Sequence, residues 1–313
     1  MNVLLFPGQG SQIVGMGSEF YNNYELVRNI FKKADDKLGY SLSKMILEGP
    51  SDQLQLTENT QPAILTVSYS IFKTLKDVFN YDFTSFKYFA GHSLGEYSAL
   101  VSSGALDFED AIYLLHERGK AMQNAVPVGA GAMIAVLGLK VKEVKDLINH
   151  EENKKGICEI ANDNASGQVI ISGDKKCLDI VQKNFKEKKI KTIPLKVSAP
   201  FHCSLMKKAA EEMSEKINST SFKNSSYEIV NNVTADVETD PIKIKKILIE
   251  QIFSTVRWRE SIMFMKKAGV RNFVEIGPGK ALIGMVKRTI KDVNCFSINT
   301  ITDIKNFIHE SKK

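Results

Sequence analysis

Cysteine is scarce in this chain and placed without pattern: Cys158, Cys177, Cys203 and Cys295 form no C-x-x-C pair. That argues against a disulfide framework or a structural zinc site and fits a reducing, cytoplasmic setting. No apolar run approaches the length of a membrane span. The opening, Met1-Asn2-Val3-Leu4-Leu5-Phe6, lacks the basic residues that precede a signal peptide's apolar core, and reads instead as the first core strand. Lys and Arg exceed Asp and Glu by 42 to 36, yet no basic run is interleaved with aromatics, so a nucleic-acid partner is not expected. The net charge of +6 either draws an acidic partner or simply solvates the surface. The loop Gly8-Gln9-Gly10-Ser11-Gln12 also fails as a phosphate cradle. Gly15 falls too late for G-x-G-x-x-G, and no clean second strand ends in an acidic residue. No internal repeat is visible.

What remains is an ordinary globular composition, 43% hydrophobic and 25% charged over 313 residues, enough for one large domain or two. A strand at Val3–Phe6 is followed by helical patterns at Tyr24–Leu38, Ser41–Leu47 and Pro62–Phe79. A strand precedes Gly91, and a helix runs from Asp107 to about Asn124. Alternation of this kind predicts a parallel sheet covered on both faces. The rhythm changes after the glycine-rich run Val128–Gly131. Strand Ala132–Leu137, helix Lys142–His150, strands Cys158–Ala161 and Val169–Ser172, helix Lys175–Lys188 and strand Thr192–Val197 give the order βαββαβ of a ferredoxin-like unit. The expected division is a large α/β domain of residues 1–127 and 199–313, interrupted by a small domain at 128–198. After Ser198-Ala199-Pro200 come helix Ser204–Ile217, strand Tyr227–Asn231, helices Pro241–Phe253 and Arg257–Ala268, strand Phe273–Ile276, helix Ala281–Ile290 and strand Cys295–Ile298. The charged tail from Asp303 to Lys313 is expected to fray.

Gly91-His92-Ser93-Leu94-Gly95 carries the chemistry. This G-x-S-x-G pattern follows the apolar Tyr88-Phe89-Ala90 and opens a helix-forming segment, which is the strand–turn–helix setting such a motif needs. Its glycines remove Cβ atoms from a strained turn. Ser93 then stands at a helix N-terminus, where free N–H groups favour negative charge. An acyl-serine forms readily in such a place.

A serine alone is a weak nucleophile and needs a base. Of five histidines, His92 adjoins Ser93 and diverges from it, His116 is read as lying on an exposed helix face, His150 ends a charged helix, and His309 sits in the tail. His202 remains, in Ser198-Ala199-Pro200-Phe201-His202, at the junction between domains where clefts form. A histidine satisfied locally in a turn is the alternative. Arg118 shares an apolar helical stripe with Ala111, Leu115 and Met122, and a guanidinium there needs a partner. Either an internal Asp or Glu pairs with it, or it clamps an acidic substrate through its planar fork. Gln251 lies on a similar stripe with Ile244, Ile247 and Leu248, and its buried amide must also be satisfied. The loop before Gln12 is best used to aim a backbone N–H at a developing oxyanion.

In order and interval, a set of segments resembles the malonyl-CoA:acyl carrier protein transacylase family over nearly the full length. They are Phe6-Pro7-Gly8-Gln9-Gly10-Ser11-Gln12, Thr60-Gln61-Pro62-Ala63, Gly91–Tyr97, Arg118-Gly119, Gly167–Gly173, Pro200-Phe201-His202, Asn231-Asn232-Val233, Gln251 before Val256-Arg257-Trp258, and Glu275–Gly279. The resemblance implies an α/β-hydrolase-like large domain with a ferredoxin-like small one. It implies Ser93 as nucleophile, His202 as general base oriented by the backbone carbonyl at Gln251, and an oxyanion hole from the N–H groups of Gln12 and Leu94. Arg118 would take the malonyl carboxylate, and Phe201 beside His202 matches malonyl-using members. Cys203 stands where the family often has serine, with little consequence expected.

The implied reaction moves malonyl from malonyl-CoA to the phosphopantetheine thiol of an acidic, transiently bound acyl carrier protein, by ping-pong and with no cofactor or metal. A cytoplasmic monomer is expected, with no membrane partner. The nearest rival is a stand-alone acyltransferase serving a polyketide synthase. A serine thioesterase or hydrolase would order its triad Ser…Asp/Glu…His and needs Asp292 or Asp303 with His309. A non-catalytic scaffold would form no acyl adduct.

Overall fold

The computed structural model describes residues 1–149, 156–197 and 199–311. Two sheets organise it. The larger has six strands, β1 (Asn2–Phe6), β2 (Phe86–Gly91), β7 (Glu228–Val230), β8 (Val237–Glu238), β9 (Asn272–Ile276) and β10 (Asn294–Ile298), in the order β10-β9-β1-β2-β7-β8. All neighbours are parallel except the short edge strand β8. The first strand shows why. In Asn2-Val3-Leu4-Leu5-Phe6, Leu4 and Phe6 enter one core while Val3 and Leu5 enter the other, so both faces are covered and the run is apolar throughout. The helix Thr57–Lys73 crosses the larger core almost wholly buried.

The second sheet holds β3 (Gly131–Leu137), β4 (Cys158–Ala165), β5 (Gln168–Asp174) and β6 (Lys191–Pro194), all antiparallel and ordered β4-β5-β3-β6. With helices Val141–Ile148 and Lys175–Glu187, this is the βαββαβ ferredoxin-like arrangement. Its chain leaves and returns at one point: a Cβ on Gly131 would fall 2.3 Å from Pro200 Cγ. The sheet is riveted to the large domain through β4. Asp163 N–H donates to Val256 O at 3.0 Å, Val256 N–H to Ala161 O at 2.9 Å, and Arg259 Nε reaches both Asp163 oxygens.

Three expectations need correction. The tail does not fray from Asp303: Ile301–Ser311 is a helix that buries Ile304 and Phe307. The i, i+3 spacing of those two residues outweighs the surrounding charge. The helix expected from Pro62 begins instead at Thr57, and Pro62 lies inside it. Lacking an N–H, Pro62 leaves Glu58 O without its i+4 donor. His116 Nδ1 takes that carbonyl at 3.0 Å, so His116 is half-buried rather than on an exposed face. His150, Ser198, Lys312 and Lys313 lie outside the described residues.

Candidate active site

Strand β2 ends at Gly91, and two residues later Ser93 takes φ 53° and ψ −110°, a conformation side chains avoid, before the helix Leu94–Ser102 begins. The turn has no room to relax. A Cβ on Gly91 would sit 1.9 Å from Gly95 C and O, and one on Gly95 would sit 2.2 Å from Phe6 O. Asn232 pins the turn from outside, accepting Ser93 N–H at 2.7 Å and donating Nδ2 to Gly91 O at 2.8 Å. Ser93 Oγ is thereby held at the helix N-terminus.

The partner comes from 109 positions away: Ser93 Oγ donates to His202 Nε2 at 2.8 Å. His202 is itself in the left-handed region, φ 57°. Its Nδ1 lies 2.9 Å from Gln251 O, and a carbonyl only accepts, so Nδ1 carries the proton and Nε2 the lone pair. Burial is the main force on this imidazole. It pushes the pKa down to about 3, with the Arg118 charge acting in the same direction and the Gln251 carbonyl opposing. The ring is neutral and ready to accept a proton. His92, by contrast, points away, with Nε2 2.8 Å from Asn164 Oδ1 and its ring edge-on to Trp258.

Arg118 is 1% exposed. Nη1 donates to Gln61 Oε1 at 2.7 Å, and Nη2 donates to Gln251 Oε1 at 2.8 Å and to Ser93 Oγ at 3.1 Å. Its Cζ lies over the Tyr97 ring, 5.8 Å from the centroid. Among the described residues no carboxylate pairs with it, and Nε has no partner. Among the described residues, the internal ion pair that the sequence left open is not formed. A buried cation beside the serine oxygen is instead satisfied by two amide oxygens, which an anion can supplement.

The loop after β1 lies over the elbow. His92 N–H donates to Phe6 O at 3.1 Å, and a Cβ on Gly8 would fall 2.6 Å from His92 O. Gln12 is buried, its side chain tied to Gly10 N–H at 2.7 Å and to Gln55 Oε1. Its own N–H has no acceptor among the described residues. Leu94, first in its helix, likewise has no intrahelical acceptor for its N–H. Phe201 is packed into the core beside His202. Cys203 Sγ donates to Pro200 O at 3.1 Å, and burial pushes its thiol up to about 11, so it is not a competing nucleophile.

A cleft of about 480 Å³ opens beside His202, with Phe253, Thr255 and Arg257 on the large domain facing Lys145 and Cys158 on the small one. Sequence reasoning missed three contributors, Gln61 as well as both Asn232 and Glu96. All three lay within the quoted segments, but nothing in their spacing announced that they meet.

A serine on a strained elbow, a neutral histidine and a buried, carboxylate-free arginine define an acyl-transferring serine enzyme of the α/β class. The comparisons with known proteins narrow this. The family model described as acyl transferase domain matches residues 3–309. The malonyl CoA-acyl carrier protein transacylase of Bacillus subtilis (strain 168) is 42% identical over 311 residues, covering 99% of this chain and 96% of that protein. Its counterpart from Haemophilus influenzae is 40% identical over 299 residues, with 95% of each covered. Among solved structures, an acyl carrier protein S-malonyltransferase from Vibrio cholerae superposes with a TM-score of 0.93 at 38% identity, covering 98% of this chain and 99% of that one. A malonyl-transacylase in complex with its type II PKS acyl-carrier protein gives 0.94 at 35% identity, with 99% of each chain covered. The chain belongs to the malonyl CoA-acyl carrier protein transacylase family.

Proposed function

We propose that this enzyme moves a malonyl group from malonyl-CoA to the phosphopantetheine thiol of an acyl carrier protein, through an ester on Ser93. The observation that carries the reading is one oxygen with two contacts: Ser93 Oγ donates to His202 Nε2 at 2.8 Å and accepts from Arg118 Nη2 at 3.1 Å. As Oγ attacks the thioester carbonyl, its proton passes to Nε2. The N–H groups of Gln12 and Leu94 are assigned to the oxyanion, and Arg118 to the free malonyl carboxylate. The C–S bond breaks, the proton on Nε2 passes to the departing sulfur, and free CoA thiol leaves a malonyl ester behind. The carrier thiol then attacks that ester, His202 takes its proton and returns it to Oγ, and malonyl-carrier departs. One thioester replaces another, so the chemistry asks for no redox group or metal.

Phe201, packed beside His202, is assigned to the choice of acyl group. The acyl carrier protein is read as an acidic, transient partner, and the enzyme as a cytoplasmic monomer. A second reading, service to a polyketide pathway, draws support from the similarity to the transacylase held with its type II PKS carrier. The reaction would be the same and the carrier different.

Intact-protein mass spectrometry after mixing with malonyl-CoA tests the core of this. The expected result is one added malonyl unit, absent in Ser93→Ala and discharged by a carrier protein bearing phosphopantetheine. An adduct that survives in Ser93→Ala would overturn the assignment of the nucleophile. Offering fatty-acid and polyketide carriers in turn distinguishes the two pathways.

A further inference from the structure

One buried carboxylate plays no part in the chemistry above. Glu96, three residues past the nucleophile, is 1% exposed and pairs with no cation among the described residues. A carboxylate buried in this way is costly unless hydrogen bonds hold it. Two do, both at Oε2: Asn232 N–H at 3.0 Å and Gln251 Nε2 at 2.8 Å. Burial pushes its pKa up to about 7 against these two donors and the nearby Arg118 charge.

Each donor leads back to the reacting groups. The Asn232 carboxamide bridges the elbow from Ser93 N–H to Gly91 O. The Gln251 amide stands between Glu96 and Arg118, giving Nε2 to the carboxylate at 2.8 Å and, at longer range, to Ser93 O at 3.2 Å and Asn232 Oδ1 at 3.4 Å, and taking Nη2 at Oε1 at 2.8 Å. An amide has two orientations related by a flip, and they are equivalent only in symmetric surroundings. Here they are not. Flipped, Gln251 would turn its NH₂ toward a guanidinium and its oxygen toward a carboxylate, losing both bonds.

We propose that Glu96 is a positioning residue for acyl selection: its carboxylate fixes the polarity of the Gln251 amide and thereby aims Arg118 at the acyl carboxylate. This rests on the assignment of Arg118 given above. The contribution is one of direction, since Glu96 reaches Arg118 only through the intervening amide.

The test compares kcat/KM for malonyl-CoA and acetyl-CoA in Glu96→Ala, Glu96→Gln and Arg118→Ala, each checked for folding by thermal melting. Glu96→Gln keeps an oxygen for both donors and should hold the wild-type malonyl-to-acetyl ratio within about threefold. Glu96→Ala removes the shortest acceptor of Nε2 and leaves it the longer contacts to Ser93 O and Asn232 Oδ1, and the ratio should fall about tenfold or more, the size of one charge-assisted hydrogen bond. A merely structural role would lower both substrates together and leave the ratio unmoved. That outcome, or a loss in Glu96→Gln as large as in Glu96→Ala, overturns the proposal. If Glu96→Ala does not fold, Glu96→Asp carries the same test, because it draws the acceptor back by one methylene and should also lose the ratio. An unchanged ratio in Arg118→Ala would sink the Arg118 assignment itself. A ratio lost in Arg118→Ala but kept in Glu96→Ala sinks only the role of Glu96.

Discussion

Replacing Arg118 by alanine perturbs two reactions differently, and the structure sets the size of each effect. With a malonyl thioester, the substitution leaves a buried carboxylate without its cation. Truncating one partner of such a pair costs about 2–5 kcal/mol, so kcat/KM should fall by about 30- to 5,000-fold. An acetyl thioester brings no carboxylate, and two smaller effects oppose each other. The hydrogen bond from Nη2 to Ser93 Oγ, 3.1 Å, is lost, at about 1 kcal/mol. Against that, a positive charge is removed from the neighbourhood of the base. Nη2 and His202 Nε2 share the serine oxygen at 3.1 and 2.8 Å, so the guanidinium charge acts on the imidazole from at most about 6 Å. The basicity of His202 should therefore rise, with burial still holding it down. With the two effects opposed, acetyl transfer should change far less than malonyl transfer. Single-turnover acylation, quenched and read by intact mass for each thioester, measures both arms on one sample. Equal losses for the two acyl groups would refute the clamp.

Two further outcomes follow from the same geometry. Because burial and Arg118 hold the imidazole at about 3, the acid limb of kcat/KM for acetyl-CoA should lie below pH 5 in the wild type and move upward in Arg118→Ala. A wild-type limb near pH 6.5, read from a pH–rate profile, would show that the histidine is not shielded in this way. Gly95→Ala should lower kcat at least about 10²-fold, because a Cβ placed 2.2 Å from Phe6 O forces the elbow aside by about an ångström. Activity within fivefold of wild type would mean that the turn can relax.

How much of this was legible beforehand depended on whether the signal was local. The elbow was, since G-x-S-x-G flanked by an apolar run and a helix former is complete within ten residues. So was the small domain, whose βαββαβ rhythm is written in consecutive segments. His202 was found by where it sits in the chain, at the return between domains. The fate of Arg118 was hidden. Its apolar stripe predicted burial, but the want of a carboxylate partner is a fact about neighbours drawn from other parts of the chain. The helix at Pro62 failed locally too, because the carbonyl that proline orphans is taken by His116, 58 positions away. The tail was misread for a simpler reason. Charge was counted there before spacing, and Ile304 and Phe307 bury whatever their neighbours carry.

The site also explains why this histidine works without a carboxylate behind it. An aspartate at Nδ1 would favour the imidazolium and place a negative charge in the pocket into which an anionic acyl group must go. The Gln251 carbonyl fixes the tautomer through a dipole instead, and adds no charge. The cost is a weak base, weakened again by Arg118. On the proposed assignment of Arg118, that second effect is the one a malonyl group would cancel. If its carboxylate pairs with Arg118 as proposed, the charge that holds the imidazole down would be screened, and Nε2 would become a better acceptor for the Ser93 proton. A substrate without the carboxylate leaves the base suppressed. On the proposed assignment, selection and activation would then reside in one residue: Arg118 would restrain the histidine until the anion bound to it removed the restraint.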